Sequence, residues 1–255
     1  MSASEPPEAA EPGVEQAVVS PERAVALLEQ GDMEVEGELI YSSNYTFLAS
    51  VEDESLRALV VYKPRRGERP LWDFPSGTLC QRECAAYLVS EALGWQLVPP
   101  TVLRDGPLGV GMVQLYIEHD PEEHYFTFRD EILSCLPRVA LFDAAINNAD
   151  RKGGHCLRDA RGHVWCIDHG IAFHEDHKLR TVIWDFAGEE IPEPLLDDLR
   201  ALQDKLDAGG PLAEALEPLL ASDEIAAFRR RVARLIRQGR FPRPGPGRHV
   251  PWPMV

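Results

Sequence analysis

Asn147-Asn148-Ala149-Asp150-Arg151-Lys152-Gly153-Gly154-His155, followed by Ile167-Asp168-His169-Gly170, is the stretch on which the fold turns. The apolar run Ala144-Ala145-Ile146 leads into it as a helix end, and the residues after Gly154 lead into a short strand. Asp150 is therefore an acid flanked by cations and glycines between packed elements, a placing that suits a carboxylate orienting a hydroxyl. Farther on, the apolar Val164-Trp165-Cys166-Ile167 delivers Asp168 to a His-Gly turn. A carboxylate that ends a buried strand before glycine suits magnesium. Taken singly, Asp150 also reads as an Asx turn and Asp168 as a strand-end turn. Their spacing, and what precedes them, favours the chemical reading.

Phosphoryl transfer needs a loop over the phosphates, a fixed cation on them, carboxylates for magnesium and a carboxylate near the incoming hydroxyl. Lys63 ends the apolar strand Ala58-Leu59-Val60-Val61-Tyr62, from which it can reach across a cleft to phosphate. Glu83 follows about 20 residues later, near the start of a helix, where it can hold that lysine by an ion pair. Glu91 is its rival on the same helix. Ser42-Ser43-Asn44 sits in the first hairpin turn, where backbone N–H groups and hydroxyls can meet phosphate. Alone, each has an ordinary reading: a solvated strand-end lysine, a glutamate favoured by the helix dipole, plain turn chemistry. The chain has no Walker motif and no GxGxxG.

The surrounding pattern predicts an α+β layout with two lobes. Residues 1–18 read as a disordered acidic tail. Ser20-Pro21-Glu22 starts a helix that stops at Gly31. Alternating segments over 34–41, 46–52 and 56–63 predict an antiparallel meander, and 79–93 a helix ending at Gly94. Further strands are expected at 98–103 and 111–118. Beyond them lie a long apolar helix over 129–147 interrupted at Pro137, a hairpin of 156–157 with 164–167, and helices over 194–208, 212–221 and 223–238. This divides the chain into a nucleotide-binding N-lobe over 19–117, a helical C-lobe over 118–240 carrying both loops, and a Pro-rich tail over 241–255.

Composition narrows the function classes. The 255 residues, 44% hydrophobic, suffice for a sizeable core, and no apolar run approaches the length of a membrane span. The acidic, Pro-rich start lacks the marks of a secretory signal. Five cysteines without a CxxC predict free thiols and a cytoplasmic protein. A net charge of -16 argues against general nucleic-acid binding. After Glu224, however, there is no acidic residue and eight arginines follow, from Arg229 to Arg248. That end reads as a solvated helix face or as a docking surface for an acidic partner.

Asp150-Arg151-x-x-x-His155 with Asp168-x-Gly170 resembles the phosphatidylinositol 3-/4-kinase superfamily, and the Asn-x-Asp form also resembles HipA-type kinases. Over residues 35–190 the chain is similar to an uncharacterised actinobacterial family of such atypical kinases. The resemblance implies a protein-kinase-like fold, ATP with Mg²⁺ or Mn²⁺, and Asp150 and Arg151 as the catalytic pair. It also implies Asp168 as metal ligand, Lys63 and Glu83 at the phosphates, Ser42, Ser43 and Asn44 in the phosphate loop, and Gln114 and Tyr116 in a hinge that meets adenine. Its acceptor would be the hydroxyl of a protein or small molecule. One departure matters: His155 stands where the family has asparagine, and imidazole suits softer ions than magnesium. His155 would then join Asp168 as a metal ligand, with manganese use, a single-metal site or lost activity all open. Three alternatives remain: a pseudokinase or nucleotide-binding regulatory module, an AMP transferase, and a zinc hydrolase built on the His and Cys residues crowded between His155 and His177.

Overall fold

Ser20 caps the first helix with its hydroxyl, which accepts from the Arg23 amide at 3.3 Å, and Pro21 occupies the first turn. The computed structural model describes residues 19–39, 45–207 and 209–255. Helix α1 (Pro21–Gln30) ends where the Gly31 amide donates to the Leu27 carbonyl. Glycine is required there: a Cβ would lie 2.6 Å from Val51 Cγ1 and 2.8 Å from the Leu27 oxygen.

The meander follows as β1 (Asp32–Glu38), β2 (Phe47–Glu52) and β3 (Arg57–Pro64). Strands β4 (Thr101–Arg104) and β5 (Gly111–Leu115) complete an antiparallel sheet of order β1-β2-β3-β5-β4. The expected strands are thus present: the first begins two residues earlier, with positions 40–41 of its expected range outside the described residues, and the fourth and fifth are shorter than expected. Ala49, Val51, Val60, Tyr62, Val102 and Val113 bury one face of this sheet against Leu27 and Leu28 of α1. Helix α2 (Leu79–Leu93) ends as predicted at Gly94, whose φ of 67° lies in the left-handed region that glycine adopts freely.

The rest is mainly helical: a short α3 (Tyr125–Phe128), α4 (Leu136–Ile146), a hairpin of β6 (Cys156–Arg158) with β7 (Val164–Cys166), then α5 (Glu193–Leu206), α6 (Pro211–Leu216) and α7 (Ser222–Gln238). The long helix expected over 129–147 is a correction. Residues 129–131 form a separate 3₁₀ turn, and Pro137 lies in the first turn of α4 rather than interrupting a longer helix. A proline lacks the N–H that a first turn leaves unused, so it begins this helix instead of breaking one.

Ala85, Ala86, Tyr87, Val89 and Leu93 of α2 pack into the larger core, together with Leu141, Phe142, Leu199, Phe228 and Val232. Helix α2, grouped with the strands in the sequence, therefore shares its interior with the helical half. The cleft runs between the sheet and this larger body, which makes the molecule a two-lobed α+β structure. All five cysteines are free thiols. Among the described residues, no helix is long and apolar enough to cross a membrane.

Candidate functional site

Strand β3 ends by carrying Lys63 into the cleft, and its ammonium donates to Glu83 Oε1 of α2 at 2.7 Å and to Asp168 Oδ1 at 2.9 Å. Burial opposes the charge on Lys63, but the two carboxylates more than offset it and raise its pKa. Glu83 Oε2 also accepts from the His169 amide at 2.7 Å. One glutamate thus ties the strand lysine to the loop after β7.

Asp168 has φ 62°, unusual for a residue with a side chain. Such strain persists only where the surroundings hold it, and here Lys63 and the Glu83–His169 contact do so. Burial resists ionisation of Asp168, yet Lys63 and His155 beside it hold its carboxyl well below the usual range. His155 Nε2 lies 3.3 Å from Asp168 Oδ2, and His155 Nδ1 accepts from the Lys152 amide at 3.4 Å. That pattern makes His155 a neutral imidazole with its proton on Nε2. Burial is the main reason its pKa falls to about 4, aided by Arg151 and Lys152.

The loop bearing Asp150 is built from inside. Asn147 ends α4 in the left-handed region at φ 57°. Asn148 Oδ1 accepts from the Asp150 amide at 3.0 Å, which sets the turn. Arg151 is fully buried and turns inward, its guanidinium on Asp143 at 3.0–3.1 Å, on the Ile167 carbonyl at 3.0 Å and on His169 Nε2 at 2.6 Å. A guanidinium only donates, so His169 Nε2 accepts and its proton sits on Nδ1. Arg151 therefore fixes the Asp150 loop to the Asp168 loop and does not itself face the cleft. Asp150 keeps its carboxylate at the surface of the cleft, 3.2 Å from Lys152 Nζ. Burial raises its pKa, and Lys152 pulls it back.

Lys63, Glu83, Asp150 and Asp168 line one open pocket of the cleft together with Tyr45 and Glu68. Four of the residues singled out from the sequence thus converge. Gln114 and Tyr116 do not line it. Gln114 is buried within the sheet, donating to Thr101 Oγ1 at 2.8 Å, and the Tyr116 amide donates to the Leu59 carbonyl at 2.9 Å. Ser42, Ser43 and Asn44 lie outside the described residues.

Two residues escaped the sequence, and a third was read for another role. Glu68 accepts from the Leu79 and Cys80 amides at 3.1 and 2.8 Å, so a carboxylate occupies the N-terminus of α2 within the cavity. Nothing in the loop around Glu68 signals this. His169, read as a turn residue and among the candidate zinc ligands, is buried and its Nε2 is taken by Arg151. Asp143 had a readable signal: one acid in the apolar run Ala140-Leu141-Phe142-Asp143-Ala144-Ala145-Ile146 needs a buried partner.

The donor set suits a hard cation at one point. Among the described residues, no group of three His, Cys, Asp or Glu is arranged to hold a metal by itself. Magnesium does not require one, since it takes one or two carboxylates and completes its shell with phosphate and water. The ionised Asp168 carboxylate, 38% exposed toward the cavity, fits that use. Cys156 and Cys166 are wholly buried and face one another across the hairpin, inside the core rather than on the cleft.

No protein-family model matches the chain. Protein Rv2133c of Mycobacterium tuberculosis is 44% identical over 264 residues, covering 89% of this chain and 94% of its own. The golgi casein kinase superposes with a TM-score of 0.51 at 15% identity, over 86% of this chain and 75% of that one. The Helicobacter pylori proinflammatory kinase CtkA does so with a TM-score of 0.50 at 12% identity, over 84% of this chain and 94% of that one. At such identities the likeness is one of fold, and the fold is that of a two-lobed protein kinase.

Proposed function

We propose, for a chain that belongs to the same family as the mycobacterial protein Rv2133c, an ATP-dependent phosphotransferase acting on a hydroxyl acceptor. The observation that carries this reading is the convergence of Lys63, Glu83, Asp150 and Asp168 on one cavity of a kinase fold. Lys63, fixed by Glu83, binds the α/β phosphates. Asp168, with Mg²⁺ or Mn²⁺ when bound, holds the phosphates; the ion would neutralise charge as it builds on them. Asp150 orients the acceptor hydroxyl and takes its proton as the new O–P bond forms. The bond from the γ phosphorus to the bridging oxygen breaks, and ADP leaves. The raised pKa of Asp150 suits a proton acceptor that is needed only as the oxygen becomes acidic in the transition state. Arg151 positions both loops from beneath.

Kinship to the phosphatidylinositol 3-/4-kinases and HipA kinases is the finer part of the proposal, supported by Asp150-Arg151 and Asp168-x-Gly170. So is the metal role of His155. To ligate through Nε2 it must move its proton to Nδ1 and give up the long bond from the Lys152 amide. That small rearrangement favours an ion that takes imidazole readily, manganese over magnesium. Adenine contacts from Gln114 and Tyr116 would have to come through the backbone beyond β5, since the Gln114 side chain is spent on Thr101. A cytoplasmic setting accords with the five free thiols.

The test is incubation with ATP and Mg²⁺ or Mn²⁺, followed by mass spectrometry of the protein and of added acceptors. The expected product is a phosphate adduct absent with Asp150→Ala. A nucleotidyl adduct would replace this reading by AMP transfer, and ATP binding without any adduct would replace it by a regulatory module.

A further inference from the structure

Three arginines are almost fully buried among the described residues: Arg82, Arg151 and Arg231, at 1%, 0% and 6% exposure. Two of them face a carboxylate, Arg82 on Glu224 Oε1 at 2.5 Å and Arg151 on Asp143 Oδ1 at 3.0 Å. Arg231 of α7 faces none at ion-pair distance. Its Nε donates to the Ala145 carbonyl and its Nη1 to the His174 carbonyl, each at 3.0 Å, while Nη2 is buried without a partner among the described residues. A buried cation that meets only carbonyl dipoles lacks the counter-charge that would repay its removal from water.

The surroundings add positive charge instead of cancelling it. Arg230 and Arg234 stand one turn apart on the exposed face of α7, beside Arg231, and neither has an ion-pair or hydrogen-bond partner among the described residues. Like charges at that spacing repel. Burial lowers the Arg231 pKa to about 10, and Arg234 and Arg230 press it the same way. His177 lies on the turn that Arg231 holds. Burial, then Arg234 and Arg231, push its pKa below the usual histidine value, so at pH 7 it is a neutral imidazole with one N–H to donate. The turn is held from its other side by Asn147, whose Nδ2 donates to the His174 and Asp176 carbonyls at 3.0 and 2.6 Å. Glu175 and Asp176 on this turn, and Asp223 at the start of α7, are exposed and leave the positive ground small. None of the four cationic or imidazole side chains lines the cleft pocket.

We propose that Arg230, Arg231, Arg234 and His177 form a binding site for a phosphate monoester carried on a protein, a phosphoserine or phosphothreonine segment. Guanidinium groups meet phosphate oxygens in pairs, and a dianion brings the charge that Arg231 lacks. Two arginines about 6 Å apart along the helix axis suit a single phosphate group, not a run of them. The acidic neighbours and the net charge of -16 oppose a long polyanion such as nucleic acid or an anionic membrane face. A segment with one phosphate and basic flanks meets both signs of charge. Arg230, Arg234 and His177 are exposed, so the phosphate enters from solvent and the chain that bears it stays outside. Such a site stands apart from the cleft and holds whether or not the cleft moves phosphate.

The experiment reads the anisotropy of a fluorescein-labelled peptide, Ala-Lys-Ala-pSer-Ala-Lys-Ala, and of its unphosphorylated form against four full-length proteins. These are the parent chain, Arg230→Gln, Arg234→Gln and, as a control in the last turn of α7, Arg237→Gln. All three replaced side chains are exposed, so melting curves should match the parent. The parent should bind the phosphopeptide at least about tenfold more tightly than the unphosphorylated form. Arg230→Gln and Arg234→Gln should each weaken it about tenfold, the loss of one charge-assisted contact, and Arg237→Gln by less than about twofold. Equal binding of the two peptides, unchanged binding by Arg230→Gln and Arg234→Gln, or an equal loss in Arg237→Gln would overturn the site. Displacement of the phosphopeptide by inorganic phosphate of equal affinity would overturn the protein segment as its ligand.

Discussion

Asp143 is fully buried and accepts from Arg151, Asn148 and Thr181, so one carboxylate sets the Asp150 loop from below. Removing one partner of a buried pair leaves an uncompensated charge, which costs about 3–5 kcal/mol. Asp143→Ala is expected to lower the urea unfolding free energy by that amount, because Arg151 then lacks its anion. His155 gives a pH signature. Its pKa of about 4 in the folded protein lies below the 6.5 of an ordinary histidine, mainly through burial. Between those values the unfolded chain binds the extra proton, so the contribution of a neutral His155 is complete above pH 6.5 and is lost as pH falls toward 4. Its size is on the order of 3 kcal/mol. Unfolding measured from pH 4 to 7 should show a shallower slope for His155→Asn than for the parent. Lys63, Glu83, Asp150 and Asp168 were legible because each ends or begins an element in a set order. Glu68 and His169 were not, since their partners, the α2 amides and Arg151, are reached only through the fold.

Helix α2 is held from both sides. Glu83 faces Lys63, while Arg82 donates to Glu224 of α7 at 2.5 Å and to the Ala172 carbonyl at 2.8 Å. Arg82 is 1% exposed, and its guanidinium also lies 4.9 Å from the centre of the Phe74 ring. The position of Glu83 is therefore maintained by a helix more than a hundred residues away in sequence, within the same core. Arg82→Met should destabilise the protein by about 3–5 kcal/mol and weaken the ATP-dependent thermal shift. Adding Glu224→Leu should recover part of the stability, since the orphaned carboxylate is then gone. The end of α2 was readable from Gly94, which closes it in the left-handed region. Helix α4 was not, because an apolar run up to Pro137 looks the same whether the proline interrupts a helix or begins one.

On the scale of the molecule, the sheet with α1 forms one core and the helices with α2 the other, and the cleft between them collects the charged residues. The α+β, two-lobed character was legible because the alternating segments precede the helical ones. The sharing of α2 between the halves was not, since its residues are buried nearly all round and carry little directional pattern. Nor was the fate of the arginines after Glu224. Arg231 holds the Ala145 and His174 carbonyls, and Arg240 holds Glu190, so part of that positive end serves the fold. The central claim is that the cleft moves phosphate from ATP by way of Asp150. The measurement that meets it most directly is ADP release from ATP with Mg²⁺ or Mn²⁺, with protein acceptor present, by the parent chain and by Asp150→Asn. Turnover by the parent, cut by about 10²–10⁴ in Asp150→Asn with ATP affinity unchanged, is the predicted result. ADP release by the parent no faster than background, or equal release by both proteins, would contradict it.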